Sequence, residues 1–288
     1  MKEFVIFSAI IGNYDTIHQP IVVDERFDYI LFSNNIHENN IGIWQIRPIP
    51  FDHIDPTRIA RYVKTHPEEL LPTHRYSIWM DASIQINNSG FYDKAISLFQ
   101  SGCLISTNGH PCRNCIYDEM FTVMQQSLEY EPVVIKWGQF LRKEKYPRNH
   151  GLAETNILLR QHNNESVIAF DNLWWDCISR YSRRDQLSFN YVQWKLDINI
   201  PIFYDDLRKS SSISYYSHGN SSNRKTFGSP SPLMQQCQQW PNNNFRNIKK
   251  LYYFSYLFPN PNIILWLGYY TRKIYLRITK GDLKYKKK

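Results

Sequence analysis

Glycine and long apolar runs are both in short supply. The chain has 11 glycines in 288 residues. The loop after its first strand-like segment, Ile11-Gly12-Asn13-Tyr14-Asp15, contains one Gly and no Lys-Ser or Lys-Thr pair. That excludes a phosphate-cradling glycine loop at this point. No uninterrupted apolar run reaches the roughly 18 residues that a spanning helix needs. No apolar leader follows Met1-Lys2-Glu3, because Phe4-Val5-Ile6-Phe7 reads directly as a strand. The cysteines number five, Cys103, Cys112, Cys115, Cys177 and Cys237. An odd count in a long chain argues against a disulfide-stapled fold, so a reduced cytoplasmic setting is expected. Cys112 and Cys115 form a Cys-x-x-Cys beside His110, but no second pair follows at usable spacing. A four-ligand zinc site is therefore disfavoured, and two small buried thiols are expected instead.

Charge is present but unevenly placed. Residues 247–288 carry ten Lys and Arg against Asp282 alone, so the +8 of the whole chain leaves −1 for residues 1–246. The basic character belongs to the tail, which removes a general argument for nucleic acid as partner. In that tail the cations alternate with Tyr252, Tyr253, Phe254, Tyr256, Phe258, Trp266, Tyr269, Tyr270, Tyr275 and Tyr285, around an Ile-Ile-Leu-Trp-Leu cluster. Rings, aliphatics and cations together suit an anionic membrane surface better than single-stranded nucleic acid. The tail is thus expected to seat the protein peripherally on a membrane.

The body has ample length for an α/β core. Strands are expected over Glu3–Ile10, Asp28–Ser33, Ile43–Ile46, Tyr76–Met80, Ile84–Ile86, Cys103–Ser106, Ala153–Arg160 and Ile198–Phe203, from apolar runs and period-two alternation. Helices are expected from Asp55-Pro56 onward, with Asp55 as cap, and over Phe91–Gln100, Asn114–Tyr130, Pro132–Lys145, Val167–Tyr181 and Ser182–Leu196. Residues 210–246 turn to Ser, Asn, Gln and Pro and read as a polar loop closing the site.

The candidate chemistry centres on Asp81, which interrupts the apolar stretch Tyr76 to Ile86. A carboxylate there is costly to bury without a partner, and at the carboxyl end of a strand the usual partner is a ligand or a metal. A turn-capping Asp is the plainer alternative. Arg58, Arg61 and Lys64 recur every third residue on the preceding helix, so they share a face and suit phosphate oxygens. His110, Arg113 and Glu119 supply polar groups near a substrate. Glu154, Asn156 and Arg160 fall at even spacing and would share one strand face. Asp185, with Gln186 beside it, falls in a helix first turn, where an anion is favoured by the dipole alone.

These blocks carry a resemblance. Gly12-Asn13-Tyr14-Asp15, Phe27-Asp28-Tyr29-Ile30, Arg58-x-x-Arg61-x-x-Lys64 and Ser77-Ile78-Trp79-Met80-Asp81-Ala82-Ser83-Ile84 resemble a glycosyltransferase-like family first catalogued as a domain of unknown function, with plant mucilage, pollen-tube and bacterial members. His110-Pro111-x-Arg113-x-Cys115-Ile116-Tyr117-x-Glu119, Gly151-Leu152-x-Glu154-x-Asn156 with Arg160, Trp174-Trp175, and Ser182 to Phe189 match in the same order. The likeness covers about residues 4–195.

The resemblance implies a GT-A-like fold, a mixed and mostly parallel sheet flanked by helices, with a catalytic domain over 1–209, the loop 210–246 and the tail 247–288. It implies a nucleotide-sugar donor, in particular a UDP-sugar, and a glycan or lipid-linked glycan acceptor in bacterial surface polysaccharide synthesis. On that model Gly12 and Tyr14 hold the base, and Arg58, Arg61 and Lys64 meet the diphosphate. Asp81, with His218 arriving late in the chain, holds Mn²⁺ or Mg²⁺. His110, Arg113, Glu119, Asn156 and Arg160 bind substrate. Asp185 or Glu154, with Gln186, addresses the sugar hydroxyls or activates the acceptor. Asp81-Ala82-Ser83 keeps only the first carboxylate of an Asp-x-Asp metal motif. Two other classes stay open, a nucleotidyl- or phosphotransferase and a non-catalytic membrane or glycan binder.

Overall fold

The computed structural model describes residues 2–12 and 15–216. Tyr14, His218 and the basic tail lie outside the described residues. The chain divides into two compact units, Met1–Ile116 with Asn149–Arg224, and Tyr117–Arg148 with Lys225–Lys288.

The elements run β1 (Phe4–Ala9), β2 (Phe27–Phe32), β3 (Asn40–Ile41), β4 (Trp44–Arg47), α1 (Pro56–Thr65), α2 (Pro67–Leu70), β5 (Tyr76–Met80), β6 (Ile84–Ile86), α3 (Gly90–Gln100), β7 (Ile105–Gly109), α4 (Ile116–Gln125), α5 (Glu131–Lys143), β8 (Ala153–Arg160), α6 (Glu165–Arg180), α7 (Gln186–Leu196), a 3-10 turn at Leu207–Lys209 and β9 (Ile213–Tyr215). The main sheet has the order β3-β4-β2-β1-β5-β8-β7. β4, β2, β1, β5 and β7 point one way, while β3 and β8 oppose them. This is the mixed, mostly parallel α/β architecture expected, consistent with a GT-A-like fold.

Both faces of the sheet are covered, which is why its central strands read as nearly unbroken apolar runs. Ile6, Ile78 and Met80 face a core shared with Phe91, Tyr92, Ala95 and Phe99 of α3. The alternate residues Phe7 and Trp79 pack edge-on at 5.4 Å. Asp55 caps α1 by accepting from the Thr57 amide at 3.0 Å, and Arg183 donates to the same carboxylate at 3.0 Å. In the second unit, α4 and α5 are described, and the Tyr117 hydroxyl donates to the Tyr146 carbonyl at 3.0 Å.

Several boundaries differ from the sequence reading. α4 stops at Gln125 rather than Tyr130, and Ser127 follows with a left-handed φ of 52°. α7 starts at Gln186, not Ser182, because residues 182–185 are drawn into side-chain contacts described below. Residues 198–203 form no ladder. A single bridge joins Ile202 to Thr107, and Pro201, which has no N–H, offers only its carbonyl to Ser106 at 2.8 Å. Residues 213–215, read as loop, are β9, an antiparallel partner of β6.

The orientation of β8 decides where its polar residues go. Because β8 opposes β5, Arg160 pairs with Ser77 and Asn156 hands its carbonyl to the Asp81 amide at 2.9 Å. Thus Glu154 and Asn156 lie at the carboxyl end of the parallel strands and Arg160 at the far end, which corrects the expectation that they share one working face. Arg160 is fully buried, 2.9 Å from both oxygens of Asp171. Burial pushes the Asp171 carboxyl up to about 7, and the Arg160 guanidinium opposes that.

Arg160 is accordingly expected to act in stability. Asp171→Ala should cost about 3–5 kcal/mol by leaving a buried guanidinium unpaired, whereas Arg160→Met with Asp171→Leu should cost far less. Chemical denaturation of the three proteins checks this.

Candidate active site

Asp81 emerges one residue after β5. Its Oδ1 accepts from the Trp79 indole nitrogen at 2.8 Å. The two residues lie on one side of the strand end because side chains repeat every second position. Ile84 returns its amide to the Asp81 carbonyl at 3.0 Å, so Asp81 sits on a tight turn into β6.

Beside it lies a buried charge cluster. Lys64, in the last turn of α1, places Nζ 2.6 Å from Asp185 Oδ2 and 3.0 Å from the Thr155 hydroxyl. That hydroxyl donates in turn to the same carboxylate oxygen at 2.9 Å. Arg61 Nε lies 3.1 Å from Asp185 Oδ1. The Lys64 ammonium also rests 5.4 Å from the Trp79 ring and 5.6 Å from the Trp174 ring. Lys64 and Asp185 are almost entirely removed from water. Burial drives the Lys64 ammonium toward its neutral form, and Asp185, then Asp81, resist that. Burial would raise Asp185, but Arg61 and Lys64 outweigh it and hold the carboxyl well below the usual range.

Asp185 stands at the cap position of α7 yet makes no side-chain cap bond. Its carboxylate is instead committed to the cations, and its carbonyl accepts from the Trp174 indole at 3.0 Å. That accounts for the Trp174-Trp175 pair. Trp174 is buried against the cluster. Trp175, a helical step round, meets Phe51, Tyr62 and His66 edge-on.

The other candidates separate. Arg58 donates to the carbonyls of Ile178 and Tyr181 and fastens the end of α6, away from Asp185. Gln186 donates to the Ala153 carbonyl at 2.9 Å, joining α7 to β8. Glu154 makes a two-point pair with Arg208 at 2.7 and 2.9 Å. Asn156 accepts from Asn108 at 2.8 Å. Gly12 has φ +65°, a conformation glycine adopts freely, and donates to Asn35 Oδ1 at 2.6 Å. His110 Nδ1 accepts the amides of Cys112 and Arg113, and Arg113 Nη2 lies 2.9 Å from His110 Nε2. Glu119 is buried in the second unit. Cys112 is exposed and Cys115 buried.

Four participants escaped the sequence reading: Thr155, Trp79, Arg208 and Tyr215. Burial, with help from the charges of Asp81 and Glu154, raises the Tyr215 hydroxyl. The β6–β9 ribbon thus brings Tyr215 into the field of both carboxylates. Nothing local in a serine-rich stretch marks that tyrosine, since only the pairing of Ile84 with Tyr215 places it.

Among the described residues no group of three or more His, Cys, Asp and Glu gathers as a metal would require. Asp81 is one available carboxylate donor, and His218 falls outside the described residues. The described donors alone do not fit a complete metal site.

The Asp185 contribution should depend on pH in one direction. A carboxyl depressed by folding stabilises above its unfolded value, about 3.9, and that stabilisation fades as pH falls through the lower folded value. Asp185→Asn should therefore be markedly destabilised at pH 7, with the gap from the parent protein closing in acid. Denaturation midpoints of both proteins from pH 7 down to acid read this out.

Comparison with known proteins follows the same residues. A family model described as the TOD1/MUCI70 glycosyltransferase-like domain matches residues 1–218. The chain is 22% identical over 247 residues to the probable hexosyltransferase MUCI70 of Arabidopsis thaliana, covering 75% of this chain and 42% of that protein. The chain thus spans less than half the length of this curated relative. With the family model reaching from β1 through β9, this chain belongs to the TOD1/MUCI70 glycosyltransferase-like domain family.

Proposed function

We propose that this domain transfers a hexosyl group from a nucleotide sugar, a UDP-sugar in particular, to a glycan or lipid-linked glycan acceptor. One observation carries the reading. The strand order passes from β1 to β2 on one side and to β5 on the other, so the sheet has a switch point between β1 and β5. Open α/β sheets bind ligands in the crevice at such a point, outside the strands' carboxyl ends. Gly12 follows β1 and Asp81 follows β5, with the Arg61–Lys64–Asp185 cluster alongside.

In this reading the Gly12 loop faces the nucleotide. Arg61, whose Nε faces Asp185 Oδ1 at 3.1 Å, offers its guanidinium to the diphosphate. Lys64, paired with Asp185 against the pull of burial toward its neutral form, lies alongside and adds positive field where negative charge grows. The acceptor oxygen forms a bond to the anomeric carbon as the bond to the diphosphate oxygen breaks, the electron pair leaving with the diphosphate. The hydroxyl proton passes to a carboxylate. Glu154 suits that role better than Asp185, which is buried and committed to two cations. Its Arg208 partner fixes the carboxylate in place. Mn²⁺ or Mg²⁺ on Asp81 and His218 would neutralise diphosphate charge as a Lewis acid. A place at the inner membrane surface in bacterial surface polysaccharide synthesis, through the basic tail, is part of the same proposal.

A thermal-shift series with UDP, UDP-hexoses, other nucleoside diphosphates and nucleoside triphosphates, with and without Mn²⁺, tests this. UDP should stabilise the protein by about 2.7 kcal/mol at a concentration 100-fold above its Kd. A Mn²⁺-dependent part should vanish in Asp81→Asn. Stabilisation by a nucleoside triphosphate alone would turn the reading toward nucleotidyl transfer, and no shift with any nucleotide would overturn it. Glu154→Gln should keep the UDP shift and lose about 10²–10⁴ in transfer rate, the usual share of a general base.

A further inference from the structure

A second cavity lies away from Asp81. It has a volume of about 500 Å³ and opens between the end of β7, the start of β8, α7 and residues 200–209. We propose that it is the acceptor-saccharide site, a reading that rests on the transferase assignment above.

Position supports it first. Ala153 lines the cavity, whereas Asn156 bonds to the Asp81 backbone. Three residues of strand separate them, roughly 10 Å at about 3.3 Å per residue. Glu154 follows Ala153 along the strand and so stands between the two in sequence, with its carboxylate held by Arg208 rather than lining the cavity. Arg208, its partner, belongs to the same 3-10 turn as Lys209, and Lys209 lines the cavity.

The lining suits a sugar rather than a phosphate or a base. The volume falls within the roughly 300–1,000 Å³ typical of small-molecule sites. Arg113 and Lys209 are balanced by Asp205 and Asp206, so no excess of positive charge selects an anion. Planar polar groups line it in Arg113, Asn190, Gln193 and Asp205, and groups of this kind suit the hydroxyls of a sugar. Asn190 is itself anchored, accepting from the Ala153 amide at 2.7 Å and donating to Gln193 Oε1 at 3.1 Å. That leaves the Gln193 amide N–H groups without a protein acceptor among the described residues. Ile202, 48% exposed, gives an apolar wall for the C–H face of a pyranose. On this proposal His110 and Arg113, expected to bind substrate, serve the acceptor.

The test uses the full-length protein, UDP, and a panel of methyl hexopyranosides and methyl N-acetylhexosaminides, observed by saturation-transfer NMR. At least one glycoside should give a signal, and Ile202→Trp, which fills the cavity from an exposed position, should abolish it. The variant should keep the parent melting temperature and the parent UDP shift. Gln193→Leu should weaken the same signal. A glycoside signal unchanged in Ile202→Trp, or none from any glycoside, would overturn the proposal while an intact UDP shift leaves the donor reading standing. Loss of the UDP shift in Ile202→Trp would overturn it too, by assigning the cavity to the donor. Failure of every nucleotide tested to stabilise the parent protein would instead sink the transferase reading.

Discussion

The buried pair of Lys64 and Asp185 is the constraint on which the site depends. An ammonium removed from water survives as a charge only if an anion is brought to it. The chain supplies that anion from 121 residues further on, and with it come the start of α7, the Trp174 contact and the hydroxyl of Thr155. α1, α6, α7 and β8 therefore meet at one salt-bridged point. Pairs of this kind add little net stability over an apolar alternative, because desolvation offsets attraction. What the pair does give is a fixed cation beneath the crevice between β1 and β5. That is where a leaving diphosphate would develop charge.

The second organising feature is the reversed strand. Were β8 parallel to β5, its first residues would lie at the far end of the sheet, away from Asp81. Running backwards, it delivers Ala153, Glu154, Thr155 and Asn156 to the working edge in four consecutive positions. Each then meets something different: the cavity wall, Arg208, the charge cluster and the Asp81 backbone. One short run of chain thereby links the Asp81 turn to the cavity beside α7.

Much of this was legible in the sequence, and the exceptions have physical causes. The apolar runs of β1, β2 and β5 and the Asp55-Pro56 helix start are local signals, and they appear close to where period and capping chemistry put them. Arg61, Lys64 and Asp185 were singled out, but their mutual pairing was not, since a contact between residues so far apart leaves no local trace. Arg160 was misplaced because even spacing along a strand reports a face and says nothing of strand direction. Residues 198–203 read as a strand from composition, yet Pro201 denies a ladder. β9 was missed because Ile213-Ser214-Tyr215 is too short to stand out from a serine-rich context, and its partner β6 is what makes it a strand.

That last pairing has a consequence for synthesis. β6 is made early and waits for β9, which follows it by more than a hundred residues. A chain emerging from the ribosome carries β1, β2 and β5 long before β9, but Phe203, Leu207 and Ile213 of the same core arrive only near the end, and a domain generally folds as a unit. Tyr215 can stand beside Asp81 only after nearly the whole domain has been translated. A chain released before residue 213 would thus lack both the strand that places Tyr215 and part of the core the sheet packs on.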